Sequence, residues 1–503
     1  MGKNDDNHPR DLLVGDRADF AELGIRLMRV LGDYLNDLPT QDVDRVIPPE
    51  ERQLLSTLPL PEDGMHPDEI FQFLEQHVLP WPQPTGHARS YAWINSPPMP
   101  VAILAETVTQ TMNSSLDGFD YSGLFLMAGL GQWLKELVGF PRSEDSMALL
   151  FSGGSAASLN ALTTARYRAA MEDGWNIREE GLQGAHPAMT VYVSDQAHSS
   201  VQRCIEQLGL GTRYLRIIRS DDRFRLDVTE LAAAIDEDRK SGLRPMAVVA
   251  SAGTTNVGAI DPLEPIADLC AKTGLWLHVD GAYGAVAGLD PAYRDALRGI
   301  ERADSVTIDP HKWLQVPLDC GALLTRHKVL HRQAFTLTPD YLRRGDQHEV
   351  PWPYEYMFQL TYANRSIKTW AAIARLGRRG IRALVVRCNE LAAALDGIIR
   401  RSDDLELLAP TSLSVVNFRY RPPGATLDDD ALDALNEQIS VGIAESGEAH
   451  MPTTRVNGRV SLRACFLHYE SNEDDLQHLL GLVRRYGEEV AAQQSVAPAG
   501  DTD

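Results

Sequence analysis

Lys312 sits in TIDPHKWLQV, residues 307–316, between a histidine and a tryptophan and just past a strand-like run broken by Asp-Pro. A lysine at an apolar, partly desolvated strand end loses some of its preference for charge, and its neutral amine can form an imine with an aldehyde. Other strand ends offer complementary chemistry. In FSGGSAASLNAL (151–162), Gly153 and Gly154 allow close backbone approach, and Ser155 opens a helix whose free N–H groups favour an anion such as phosphate. The same residues also make a plain helix cap. In LWLHVDGAYG, Asp280 closes an apolar run, where a carboxylate needs a cation or hydrogen-bond donors. A protonated pyridine nitrogen would serve, as would a helix N-terminus or a buried salt bridge. SDQAHSSVQRC places His198 between a strand and a helix, and ASAGTTNVGAIDPL places Thr254 and Thr255 in a Gly-bounded turn. Both segments also read as ordinary loops. His278 with Asp280, and Asp309 with His311, share strand faces, but no third ligand clusters with either pair, so no metal is expected. A phosphate cradle, an acid for a ring nitrogen and an imine-forming lysine are together what pyridoxal 5'-phosphate requires of a protein.

The elements that must position these residues alternate. MALLF, MTVYV, RYLRII, PMAVVAS and LWLHVD are strand-like, and helical patterns follow the first four at 155–171, 199–207, 227–238 and 263–273. Such alternation predicts an α/β fold, a mostly parallel sheet covered on both faces with its site at the strand ends. Upstream, Phe20, Leu23, Leu27, Met28, Leu31 and Tyr34 fall at helical spacing. Downstream, SLSVVNFRY, DDDALDALNEQI, GRVSLRACFL and a helix from Glu473 make an α+β pattern. The expected organisation is an N-terminal helical arm over 1–95, a large α/β domain over 96–380, and a small α+β domain over 381–503 with a frayed tail.

Composition narrows the partners. Against 48 Lys and Arg stand 70 Asp and Glu, a net charge of −22 that repels nucleic acid and anionic lipid alike. Five scattered cysteines form no CxxC pair, and no apolar run has signal-peptide or membrane-span length, so a reduced, cytoplasmic protein is expected.

SDQAHSS, LHVDGAYG and DPHKWL…DCGALL occur in the order and spacing of the pyridoxal-phosphate-dependent group II amino acid decarboxylases, and the chain resembles that family from about His87 to the helix after Trp370. The resemblance implies a fold-type I homodimer, a seven-stranded sheet in the large domain, and active sites at the subunit interface. It implies Lys312 as the Schiff-base residue, Asp280 as the pyridine-nitrogen partner, and His198 and Ala282 on the two ring faces. Gly154, Ser155 and His311 would contact the phosphate, and Thr255 the ring substituents. Tyr341, in FTLTPDYLRRGDQ, takes the position of the family's proton-donating loop tyrosine. Tyr91, Trp93 and Ile94, in HARSYAWINSPPMP, would make an aromatic substrate wall. The chain departs from common family residues at Ala156, Ser158 and Gly281, and at Tyr362–Asn364, where Gly-Arg-Arg is usual.

The expected reaction is decarboxylation of an L-amino acid, with an aromatic side chain favoured, to the amine and CO2. Oxidative decarboxylation-deamination to an aldehyde uses the same cofactor, but relatives that do so often replace the loop tyrosine or the stacking histidine, and both are present here. DPHKW argues against a transaminase. A silent binding protein of the same fold would have no need of both Lys312 and Asp280.

Overall fold

The computed structural model describes residues 9–115, 121–337, 350–424 and 426–496. Tyr341 lies outside the described residues.

Seven strands build the large sheet: β1 (Met147–Phe151), β2 (Met189–Ser194), β3 (Leu215–Ile218), β4 (Arg244–Ser251), β5 (Trp276–Asp280), β6 (Ser305–Ile308) and β7 (Gly321–Thr325). Their spatial order is β1-β7-β6-β5-β4-β2-β3. β7 runs antiparallel to both its neighbours, and the remaining pairs are parallel. The pleat explains why these apolar runs carry no polar face. Ala247, Val249 and Trp276 enter one core with Leu162, Ala165 and Val201, while Val248, Ala250, Leu277 and Val279 enter another with Leu231, Ile235 and Ile266. Helices therefore cover both faces, each supplying the apolar surface that alternate strand residues need. The helices Gly154–Glu172, Ser200–Gln207, Val228–Lys240 and Leu263–Thr273 stand close to their sequence-based positions. β7 has no counterpart among the runs read from sequence: GALLT is short, and only its pairing with β1 and β6 makes it a strand.

The N-terminal periodicity becomes the long helix Pro9–Asp37. The expected boundary at 380 falls inside the helix Ser366–Ile399, whose backbone leaves helical geometry at Gly377, φ 61°. Beyond it, β8 (Leu405–Leu407), β9 (Val415–Tyr420), β10 (Thr453–Val456) and β11 (Arg459–Cys465) form an antiparallel sheet in the order β10-β11-β9-β8. The helices Asp429–Glu445 and Glu473–Val496 pack on it. All five cysteines are buried and unpaired. No helix among the described residues is long and apolar enough to cross a membrane.

Candidate active site

β1, β2, β4, β5 and β6 end at one edge of the sheet, and the residues just past them line a single cavity of about 210 Å³. Gly154 and Ser155 follow β1, His198 follows β2, Thr255 follows β4, Asp280 and Ala282 come from the end of β5, and His311 and Lys312 follow β6. The topology thus brings together the eight residues that the sequence assigns to the cofactor. A larger, mostly apolar cavity of about 770 Å³ lies between the N-terminal helix, residues 86–104 and Tyr469–Asp475; it holds no such constellation.

Close packing makes the cradle. A Cβ on Gly321 would lie 2.4 Å from the Gly153 carbonyl carbon, so glycine at the start of β7 lets that strand meet the end of β1. A Cβ on Gly154 would meet Asp309 Oδ2 at 3.1 Å and Ala282 Cβ at 3.3 Å, filling the place where the helix presents its first N–H groups. His311 borders this corner. Its Nδ1 accepts the Cys320 backbone N–H at 3.2 Å, which leaves Nε2 to carry the proton of the neutral ring. Burial holds the His311 imidazole below its ordinary range, with Asp309 opposing. His198 is oriented in the same way: its Nδ1 accepts from the Ser200 N–H at 3.2 Å and lies 2.7 Å from Ser200 Oγ.

Asp280 Oδ1 accepts the Ala282 N–H at 3.2 Å, and among the described residues no lysine or arginine pairs with the carboxylate. Beneath it, His278 is fully buried and both ring nitrogens are engaged. Trp276 Nε1 donates to Ser305 Oγ at 2.8 Å, so the Ser305 hydroxyl is free to donate to His278 Nδ1, also 2.8 Å away. Nε2 then donates towards Ser158 Oγ at 3.1 Å. Burial pushes the His278 pKa down to about 4, and the neutral ring ties the helix Gly154–Glu172 to β5 and β6 under the site. A ring spent in this way has no nitrogen left for a metal.

Lys312 Nζ stands 3.0 Å from Asp309 Oδ2. Its backbone is pinned from the N-terminal side, because Ser96 Oγ donates to the carbonyls of Lys312 at 2.5 Å and His311 at 3.2 Å. Sequence reasoning missed both partners. In the sequence Asp309 reads only as half of a metal pair with His311, and Ser96 lies 216 positions from Lys312, with no local pattern to mark it.

Tyr91, Trp93 and Ile94, expected as a substrate wall, are not among the residues that line this cavity. The reason is backbone pairing. Tyr91 N–H donates to the His450 carbonyl at 2.8 Å, and its own carbonyl accepts from Cys465 at 3.0 Å, so the segment lies beside β11. Tyr91 is thereby turned onto Phe466, ring centroids 5.5 Å apart, and Ile94 is buried. Trp93 faces outward near His450, at 5.7 Å.

Arg463, on β11, fastens the same segment to the site. Its guanidinium is buried and donates to the carbonyls of Ala92 at 2.8 Å, Thr255 at 2.5 Å and Asn256 at 3.2 Å. Replacing it with methionine preserves the stem and strands these acceptors. We expect Arg463→Met to lower the thermal unfolding midpoint by about 5 °C and to weaken cofactor retention on dialysis. An unchanged midpoint would show that the carbonyls find other donors.

A lysine at the end of a parallel strand, a cation-free carboxylate opposite and a glycine-lined anion cradle define an enzyme that works through a lysine-bound pyridoxal phosphate. The residues fit that group: Gly154 borders the cradle without a side chain, and among the described residues Asp280 has no lysine or arginine partner. Residues 49–421 match the family described as pyridoxal-dependent decarboxylase conserved domain, and the chain belongs to it. It is 30% identical to an aromatic-L-amino-acid decarboxylase of Bacillus atrophaeus, over 94% of this chain and 96% of that protein. It is also 30% identical to an acidic amino acid decarboxylase of Bos taurus, over 75% of this chain and 71% of that one. The crystal structure of Oryza sativa TDC with PLP and tryptamine superposes with a TM-score of 0.88 at 25% identity, covering 94% of this chain and 98% of that chain. The protein is a pyridoxal-phosphate-dependent amino acid decarboxylase, a carboxy-lyase.

Proposed function

We propose that the protein converts an L-amino acid with an uncharged, aromatic side chain into its amine and CO2. One observation carries the choice of side chain: among the described residues lining the cavity there is no arginine, and the single lysine already faces Asp309. A substrate with a second carboxylate would find no guanidinium among the described residues that line this cavity, and an unpaired charge in a desolvated site is costly. Likeness to the aromatic-L-amino-acid decarboxylase supports the same reading.

When bound, the cofactor supplies an electron sink for the pair released as CO2 leaves Cα. This chain's residues do the rest. Lys312 holds and releases the cofactor. Asp280 keeps the pyridine nitrogen protonated. His198 and Ala282 would hold the ring, Gly154, Ser155 and His311 would receive the phosphate, and Thr255 would border the ring substituents. Orienting the carboxylate bond perpendicular to the ring and excluding water are positioning tasks for the cavity walls. Tyr341 delivers the proton to Cα.

The enzyme works as a homodimer. Val101, Leu104, Val108 and Met112 form an exposed stripe at helical spacing on the helix Pro100–Met112, an apolar surface that supports association. Five buried, unpaired thiols favour a reducing, cytoplasmic location.

Incubating the loaded enzyme with aromatic, acidic and basic amino acids, while recording CO2, peroxide and product mass, tests the reading. Amine and CO2 from aromatic substrates, at least about tenfold faster than from acidic ones, is the expected result. A preference for glutamate or aspartate overturns the side-chain assignment. In the same assay Tyr341→Phe keeps the visible cofactor band but shifts product from amine towards aldehyde. An unchanged amine yield removes Tyr341 from the proton transfer.

A further inference from the structure

His278 is buried beneath the cavity with no task at the reacting atoms. It stands on β5 two residues before Asp280, on the same face of the strand. On the neighbouring β4 its partner is Val249, which enters the apolar core that the helix Gly154–Glu172 supplies with Leu162 and Ala165. An aliphatic side chain at 278 would continue that core. The imidazole makes directed bonds instead, to Ser305 Oγ at 2.8 Å through Nδ1 and to Ser158 Oγ at 3.1 Å through Nε2. Apolar contact fixes how close a helix lies to a sheet, but only weakly how far along the strand it sits. A hydrogen bond from a ring held at both nitrogens fixes the second as well. That matters here because the helix carries the phosphate cradle at Gly154 and Ser155, one turn before Ser158, while β5 carries the ring-nitrogen acid two residues after His278. Thr307 extends the link. Its hydroxyl lies 3.2 Å from Ser158 Oγ and 3.3 Å from His278 Nε2, and its methyl is what a Cβ on Gly154 would meet at 3.2 Å. One run of contacts thus joins the strand of the acid to the floor of the cradle.

We propose that Ser158 and His278 are positioning residues: their hydrogen bond sets the helix along β5 so that the cradle and Asp280 stand at the separation the two ends of the cofactor require, and so selects the phosphorylated aldehyde over the unphosphorylated one. This inference rests on the reading that Asp280 takes the ring nitrogen and that Gly154, Ser155 and His311 take the phosphate. A short, stiff ligand gripped at both ends feels a shift of either grip, because it cannot stretch to follow. A ligand gripped at one end moves with that grip and loses little. The tie therefore acts on the difference between two ligands that share a ring and differ by a phosphate.

The test measures binding to the full-length protein after its cofactor has been removed, with pyridoxal phosphate, pyridoxal and inorganic phosphate as separate probes. Calorimetry gives the affinities. The deciding variant is Ser158→Ala, which cuts the helix end of the tie and leaves Thr307 Oγ1 to accept the Nε2 proton, so no buried donor is stranded. Pyridoxal phosphate should bind about tenfold more weakly, while pyridoxal and phosphate each change by less than about twofold. From the strand side, His278→Leu should match that loss, whereas His278→Gln, whose amide can accept from Ser305 and donate to Ser158, should keep most of the affinity. Ser158→Ala decides the question alone if His278→Leu does not fold. An unchanged affinity for pyridoxal phosphate in Ser158→Ala overturns the proposal. So does a loss of the same size with pyridoxal or with phosphate, because the bond would then serve one grip or the fold at large. The unaltered protein separates this inference from its parent. If it binds pyridoxal phosphate no more tightly than pyridoxal, the phosphate assignment falls and this inference with it; if it binds more tightly and Ser158→Ala keeps the difference, this inference falls alone.

Discussion

Lys312→Ala is expected to abolish the visible absorption band of the loaded enzyme and to lower turnover by at least about 10⁴-fold, while the protein stays folded. The magnitude follows from covalent anchoring: without Nζ the cofactor is held by the cradle and by Asp280 alone, and substrate must meet an aldehyde that is neither activated nor fixed in orientation. Folding survives with a lowered unfolding midpoint, because Asp309 loses its cation but residue 312 keeps its own backbone ties. Its backbone stays held by Ser96 Oγ and by the turn from Asp309, neither of which uses the amine. Absorbance, turnover and thermal unfolding of the two proteins side by side give the result. A band that persists in the variant means that another amine carries the cofactor.

Asp280→Asn is expected to cut turnover by about 10³-fold, roughly 4 kcal/mol of transition-state stabilisation, with far less effect on cofactor binding. The carboxylate stays close to its own Ala282 N–H and has no lysine or arginine partner among the described residues, so its charge is available to a ligand. Asparagine keeps the shape and still accepts that N–H, but it no longer favours a proton on the pyridine nitrogen. The electron pair left at Cα then has a poorer acceptor. Single-turnover rates with a slow substrate separate this loss from any change in affinity. Equal losses in rate and in cofactor affinity would reduce Asp280 to a binding group.

How much of this could be read in the chain depends on distance along it. The strands ending at Phe151, Ser251 and Asp280 were legible because each is a short apolar run closed by turn residues, and the groups placed beside the cofactor sit within a few residues of such ends. β7 was not, because its identity comes from partners on either side and not from its own five residues. The placement of the aromatic segment was not legible for a related reason. Tyr91-Ala-Trp-Ile reads as a ligand wall by composition, but pairing with β11, nearly four hundred positions later, decides which way each ring points. Asp309 lay in plain view within the strongest motif, yet its relation to Lys312 became visible only when the turn brought the two side chains within 3.0 Å.

The reach of Arg463 bears on the order in which this molecule can become competent. The cofactor corner is encoded between residues 153 and 312, and its sheet closes with β7, so a growing chain can lay down that framework early. The carbonyls of Ala92 and Thr255, however, wait for a guanidinium that lies 371 and 208 positions further along the chain. Until the C-terminal sheet docks, the framework therefore lacks the donor that ties the segment at Ala92 to the turn at Thr255.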